Sequence, residues 1–481
     1  MNDQPPTSFF KRILASLGPA IITASVVLGP GSILSASKIG HTYAYQMTWV
    51  LVIAVIMMIA MTALSARLGI QLKGTICDEL AERAGRPVAA ATGIILFLIA
   101  ACFQFSNNLG ILAAVEPFLE PPQAEAVENP AADDKPQADA GSTEDADPLA
   151  AAKPVEDVKK KESMASTTIP ILIIIFMNAF IILALYGFKH LYGIIEKLMK
   201  LLVGIMMVAF AINLFQVKPD WLAALTGFIP SIPPGTFDTI LPKWNPETEK
   251  VQDLMTPLVA LYATTFSVAG AFYQSYLVRQ KGWTRDNLKQ GLIDSTLGIS
   301  MLGLITMMVL ITAAKVLYHN PDVVELKSVA DVSKSLEPAF GTSAMVIFSL
   351  GIFAGAFSSF LVNAMIGGSI LADGFGLGGY IDQKWPKLFT VFALITGMAV
   401  AIYTKAMGQK PMALIIFAQS LTVLGIPMLA IAMLWLATRA DMKGENSIPA
   451  WMKILGFIGL ISSIFLALRT AVSLLLPYTH G

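Results

Sequence analysis

Leu28-Gly29-Pro30-Gly31-Ser32 interrupts the first long apolar segment of the chain near its middle. Proline removes a backbone N–H and glycine is a poor helix former, so breakers packed this densely unwind a helix. In a bilayer an unwound turn is tolerated only where protein buries it or where it lines a polar cavity. A broken helix at mid-membrane depth is the usual sign of a solute site built from half-helix ends. The turn carries no acidic residue.

The rest of the composition agrees with a membrane setting. Apolar residues make up 55% of the chain and charged residues 14%, against about 25% charged in soluble domains. The fold class expected is an all-α polytopic membrane protein. Lys plus Arg equal Asp plus Glu at 33 each, so nothing points to a nucleic-acid partner. Cys77 and Cys102 are the only cysteines, which excludes a disulfide framework and a Cys-based metal cluster. Residues 1–12 are polar and lead straight into the first span, so no cleavable signal is expected. Neither a nucleotide-binding loop nor a nucleophile constellation is present, and an enzyme is not expected.

Apolar runs able to cross about 30 Å of hydrocarbon lie near 14–39, 44–68, 88–115, 167–187, 191–215, 253–277, 290–318, 340–371, 386–405, 410–437 and 451–476. Eleven spans are therefore expected. Lys and Arg concentrate in the N-terminus (Lys11, Arg12), the 67–87 loop (Arg67, Lys73, Arg83, Arg86), the 278–289 loop (Arg279, Lys281, Arg285, Lys289) and around Arg439, Lys443 and Lys453. The positive-inside rule places these in the cytoplasm. The N-terminus is then cytoplasmic and Thr479-His480-Gly481 external, in a multi-pass protein of the inner (plasma) membrane.

Residues 118–164 are rich in Ala, Pro, Asp, Glu and Lys and read as a disordered external loop. The expected organisation is spans 1–3 over 1–117, that loop, then spans 4–5 with an irregular external loop over 165–252. Spans 6–10 follow over 253–438, and a peripheral span 11 over 439–481. The first span of the second set has its own soft centre, Thr264-Thr265-Phe266-Ser267-Val268-Ala269-Gly270. Interruptions at corresponding positions of two halves point to a binding site. With one glycine and no proline, this stretch fits an ordinary small-residue packing helix equally well.

In order and spacing, several dispersed segments resemble the Nramp (natural resistance-associated macrophage protein) family of metal-ion transporters. They are Leu17-Gly18-Pro19-Ala20, Ser65-Ala66-Arg67-Leu68-Gly69, Ile194-Ile195-Glu196-Lys197, Leu336 to Gly341, Gly355-Ala356-Phe357-Ser358-Ser359, and Ala418-Gln419-Ser420 through Ile426-Pro427. The resemblance covers nearly all of the chain except 118–164. It implies a LeuT-like 5+5 inverted repeat with spans 1 and 6 broken around a central site. The departures fall on the family's ligands. Where the family has Asp-Pro-Gly-Asn, this chain has Gly29-Pro30-Gly31-Ser32; Met-Pro-His aligns with Ser267-Val268-Ala269. A second family histidine falls at Gln274, and two acids of span 3 tied to proton movement fall at Gln104 and Asn107.

A divalent cation stripped of water needs strong donors, usually including a carboxylate, and none is left in these turns. A helix N-terminus favours anions, and unwinding at Gly29–Gly31 would expose one, with Ser32 close to the N-cap. The leading expectation is thus a secondary active transporter of a small anion such as bicarbonate, working by alternating access. Gly29, Pro30, Gly31, Ser32, Thr264, Thr265, Ser267, Gln274, Asn107 and Gln419 are its candidate substrate-binding residues. No transition-metal site and no cofactor are expected. Sodium is the candidate coupling ion, held by Ser358 and Ser359 facing carbonyls of Val26 and Gly29. The alternatives are a divalent metal cation transporter of the Mg or Mn type, a non-transporting sensor on the same scaffold, and a passive channel. The expected partners are a small inorganic ion and the lipid bilayer, with the protein a monomer. Glu196 beside Lys197 reads as a structural ion pair at a helix end, and Gly351-x-x-x-Gly355 as a close-packing motif.

Overall fold

The computed structural model describes residues 18–119, 153–188, 191–231, 239–318, 342–407, 411–442, 444 and 447–480. Lys11, Arg12, Pro233, Pro234, the segment 336–341 and most of the 118–164 loop lie outside them. The first apolar run splits into α1 (Pro19–Val27) and α2 (Pro30–Tyr43), bent by 54°. Then come α3 (Thr48–Gln71), the short amphipathic α4 (Ile76–Ala84), α5 (Arg86–Leu119), α6 (Lys153–Gly187) and α7 (Leu191–Val217). The second set opens with α9 (Thr256–Thr265) and α10 (Val268–Gln280), after α8 (Trp221–Thr226) and a β-hairpin. It continues through α11 (Leu288–Val316), α12 (Thr342–Gly374) and α13 (Lys384–Ala406). The pair α14 (Pro411–Leu421) and α15 (Ile426–Ala437) is joined by a 3-10 turn, and α16 (Ala450–His480) closes the chain.

Nine helices among the described residues are long and apolar enough to cross a membrane, ten with the bent α1–α2 pair. The interrupted pair α9–α10 covers the run expected as span 6 but is not among these ten, so the eleventh span remains an expectation of the sequence. Each set of five thus begins with a helix broken in two. Helix α6 starts at Lys153, well before the apolar run at 167. Pro154 in its first turn and the Lys and Glu residues after it are compatible with helix, so the last part of 118–164 is helical. In the 216–250 region Asp220 caps α8 by accepting from the Leu222 and Ala223 N–H groups, each at 3.1 Å. The antiparallel strands β1 (Lys243–Asn245) and β2 (Lys250–Gln252) follow it.

The basic loops share one end of the bundle. Arg279 donates to the carbonyls of Gly69, Leu72 and Lys73 at 2.8–3.2 Å, and Arg83 reaches Asp441 at 3.4 Å. At this end Thr75 caps α4 in a reciprocal box with Asp78, and the Thr75 and Tyr276 hydroxyls both donate to Asp373 Oδ2 at 2.6 Å.

Close helix approach replaces the hydrophobic effect as the cohesive term in a bilayer. Gly351 faces the Phe210 ring, where a Cβ would come within 2.9 Å, and Gly355 faces the Leu28 carbonyl, where it would come within 2.7 Å. The packing motif therefore seats span 8 against both span 5 and the break of span 1. Span 11 keeps a lipid-exposed face, yet Tyr262 donates to the Gly459 carbonyl at 3.3 Å and the Phe266 ring lies over Gly459. Arg469 of this span, 3% exposed, donates to Asp253 at 3.0 Å. Gly355→Leu should lower the thermal midpoint of detergent-purified protein by several degrees, since overpacking costs about 1–3 kcal/mol. Gly193→Ala, where a Cβ meets nothing within 4 Å, should not lower it.

Candidate functional site

The first break is shorter than the sequence suggests. Helix α1 runs to Val27, with Leu28 N–H donating to Ala24 O at 3.2 Å, and α2 begins at Pro30 with Gly29 as its N-cap. Ser32 is the third helical residue, within the first turn of α2, and its hydroxyl donates to Gly29 O at 2.9 Å. The glycines are dictated by crowding as much as by unwinding. A Cβ on Gly29 would lie 2.8 Å from Ser359 Oγ and 3.2 Å from Asn107 Oδ1, and one on Gly31 would lie 2.2 Å from Gln419 Cγ. Spans 3, 8 and 10 thus converge on this turn.

The second break is real despite its weak sequence signal. Phe266 N–H donates to Tyr262 O at 2.7 Å to end α9, and Ser267 caps α10 by accepting the Gly270 N–H at 3.4 Å. Helix α9 packs on α2 and α14, which carry Gly31 and Gln419. Thr264 turns away: its hydroxyl donates to Ala260 O and Leu261 O of its own helix at 2.8 and 3.1 Å. Gln274 lies one helix face along, accepting from the Thr23 hydroxyl at 2.6 Å.

Several buried polar atoms around the breaks have no protein partner. Both polar atoms of the Asn107 and Gln419 side chains, the Thr265 hydroxyl and Gln274 Nε2 are in this state. Buried groups of this kind are ordinarily satisfied by water or a ligand. Gly29, Pro30, Gly31, Asn107 and Gln419 come together at the first break, and Thr265 stands at the second. The hydroxyls of Ser32, Thr264 and Ser267 are committed to their own helices. Next to the site, Gln104 donates to Phe360 O at 2.7 Å, and Asn178 donates to Asn108 Oδ1 at 2.6 Å. Among the described residues no group of three His, Cys, Asp or Glu gathers as metal ligands do.

At the proposed sodium position the oxygens are already engaged. Ser359 donates to Val26 O at 3.0 Å, and Asn363, which sequence reading passed over, donates to Val26 O at 3.3 Å and to Ser359 Oγ at 2.8 Å. Ser358 donates instead to Gly355 O at 3.0 Å, within its own helix. An amide N–H group thus sits among these oxygens.

Two further features escaped the sequence reading. Asp294 of α11, fully buried, accepts the Gly18 and Ala20 N–H groups at 2.6 and 2.9 Å. A carboxylate at the start of α1 complements the positive end of that half-helix. The signal was an acid inside an apolar span, itself a functional pointer. Glu196 bonds not to Lys197 but to Lys200 at 2.9 Å and Lys281 at 3.0 Å. Adjacent helical residues do not face each other, whereas residues four apart do.

Two half-helices meeting their continuations at buried, partly unsatisfied turns, inside a bundle of paired five-span sets, define a polytopic membrane transporter. Residues 20–127 and 163–473 match the profile of the natural resistance-associated macrophage protein-like family. The chain belongs to the Nramp family. It is 22% identical over 465 residues to a divalent metal cation transporter MntH of Deinococcus radiodurans, covering 95% of this chain and 89% of that one. A second MntH, from Caldanaerobacter subterraneus subsp. tengcongensis, is 28% identical over 280 residues, a segment spanning 57% of this chain and 59% of that relative. A crystal structure of an Eremococcus coleocola manganese transporter superposes with a TM-score of 0.68 at 17% identity, covering 100% of this chain and 89% of that one. This likeness establishes the LeuT-like 5+5 fold.

The expectation of an anion substrate such as bicarbonate is overturned by these relatives, which carry the names of divalent metal cation and manganese transporters. The geometry supplies the physical reason. Pro30 removes the first N–H of α2, the Ser32 proton is spent on Gly29 O, and the Gly270 N–H is capped by Ser267. Each of these lowers the number of donors that an anion could use at the breaks.

Gly31→Ala should abolish transport, because its Cβ overlaps Gln419. Adding Gln419→Ala should restore thermal stability but not uptake, measured on the same preparations. Asp294→Ala leaves two buried N–H groups unpaired, a cost of about 1–3 kcal/mol each. Labelling of an introduced Thr23→Cys by a thiol reagent applied at the basic end should rise about fivefold or more, and Asp294→Asn should show a smaller rise.

Proposed function

We propose that this protein moves a divalent cation across the membrane by alternating access, holding the ion between the two breaks largely through its water shell. The observation that carries the reading is the set of unpartnered buried groups at the interruptions, the amides of Asn107 and Gln419 at the first and the Thr265 hydroxyl at the second. Helices α1 and α9 end at Val27 and Thr265, and each C-terminus carries roughly −0.5 of a charge. The opposing N-termini are blunted by Pro30 and by the Ser267 cap. A cation would meet the carbonyl ends of both half-helices, although Val26 O is shared with Ser359 and Asn363. The names of the relatives favour a divalent metal cation as well.

The neutral donor set selects among such cations. With no carboxylate or thioether, the turns are poorly suited to stripping an ion of its water. Magnesium gives up water reluctantly and usually keeps several waters when bound, so neutral oxygens can hold it by hydrogen bonds to its shell. Magnesium is the foremost substrate in this reading and manganese the second. The basic end faces the cytoplasm by the positive-inside rule. The Asp294 cap and the Glu196–Lys281 pair then close the inner mouth. Asn363 shares the Val26 carbonyl and the Ser359 hydroxyl with any ion there, and this reading includes no coupling ion.

Purified protein in liposomes loaded with a magnesium-sensitive dye should show saturable uptake. Gln419→Leu should lower it about tenfold or more, from the loss of a buried amide. No response to either magnesium or manganese would remove this reading. Manganese uptake that outcompetes magnesium would shift it to the manganese type.

A further inference from the structure

We propose that the membrane-facing cleft between α7 and α12 is a binding site for one anionic phospholipid. The cleft has a volume of about 820 Å³ and is lined by Leu201, Gly204, Val208 and Ile212 of α7 with Ile347 and Leu350 of α12. Its walls are open to the bilayer: Leu201 is 60% and Val208 59% exposed. Gly204 forms the floor, and a Cβ there would meet nothing within 4 Å. Polar groups enter the lining only through Lys197 and Lys200, one helical turn apart at the basic end.

The charge pattern selects the occupant. Glu196 is shared by Lys200 and Lys281, while Lys197 has no ion pair among the described residues. Three ammonium groups against the Glu196 and Asp294 carboxylates leave this corner net positive, by one charge, with Lys197 the ammonium nearest the cleft. From Lys197 to Ile212 the helix rises about 22 Å, more than half of a hydrocarbon core of about 30 Å. A ligand that fits must therefore be negative at one end and apolar over a leaflet's depth. A free inorganic anion lacks the tail and a zwitterionic lipid lacks the net charge. Juxtamembrane basic groups between helices attract anionic headgroups in this manner. Because Lys200 also bonds to Glu196, a bound headgroup would touch the ion-pair network that reaches Lys281 beside Gly18 at the start of α1.

The test uses the full chain in nanodiscs containing phosphatidylglycerol or phosphatidylcholine that carries a photoreactive group in its acyl tail. The expected result is labelling of residues 201–212 by the phosphatidylglycerol probe, several-fold above the phosphatidylcholine probe. Lys197→Gln, a partly exposed substitution that leaves the Glu196 pairs intact, should lower that labelling about fivefold. Gly204→Leu should abolish labelling of 204–212 by filling the floor. Equal labelling by both lipids, or no change with Lys197→Gln, overturns the proposal. So does a benzophenone at position 201 that crosslinks to residues 1–17 or to a second copy of the chain instead of to lipid.

Discussion

A peptide group with no partner in hydrocarbon costs several kcal/mol, and the arrangement around the two breaks answers that cost. Leu28 N–H still finds Ala24 O, Phe266 N–H still finds Tyr262 O, and Ser267 caps the helix that follows. Val26 O is held by Ser359 and Asn363 of span 8. Helices are broken only as far as neighbours can repair them. The groups left over, on Asn107, Thr265 and Gln419, are therefore where a hydrated solute can bond without exposing backbone.

In the reading proposed here, the same repair bears on the sign of the site. A broken helix offers two ends of opposite polarity, and which end is blunted decides what it attracts. Here a proline deletes one donor at the first break and a serine hydroxyl covers another at the second, while the ends of α1 and α9 contribute their carbonyls. The field is weak compared with that of an ionised aspartate. A site of this strength suits an ion that keeps its shell and leaves readily. The far contacts at Asp294, Glu196 and Lys281 lie at the start of α1, away from the breaks.

The first break was legible in the sequence because proline and glycine act locally. The second was ambiguous, since its stop is made by Phe266 and a serine cap, residues that sit equally well inside a continuous helix. The shared basic end also followed from loop charge, and ten of the eleven expected spans from local composition. The anion reading is overturned by the relatives, and Ser32, in the first turn of α2 as expected, spends its hydroxyl proton on Gly29 O. Thr264 does likewise, because threonine in a membrane helix tends to bond back to its own turn. The contacts of Asn363, Thr23 and span 11 have no local signal because their partners lie 197 to 337 residues away. Glu196 was assigned the neighbour in sequence when helical geometry offers the residue a turn later. Such long-range pairings have no periodic signature.

Anomalous scattering from crystals soaked in manganese chloride tests the central claim most directly, manganese standing in for magnesium. The account predicts one peak between Gly29–Gly31 and Thr265, with Asn107 and Gln419 about 4 Å away, as befits an ion bonded through water. A peak seated elsewhere in the protein, or bromide occupying that position in a parallel soak while manganese does not, would contradict it.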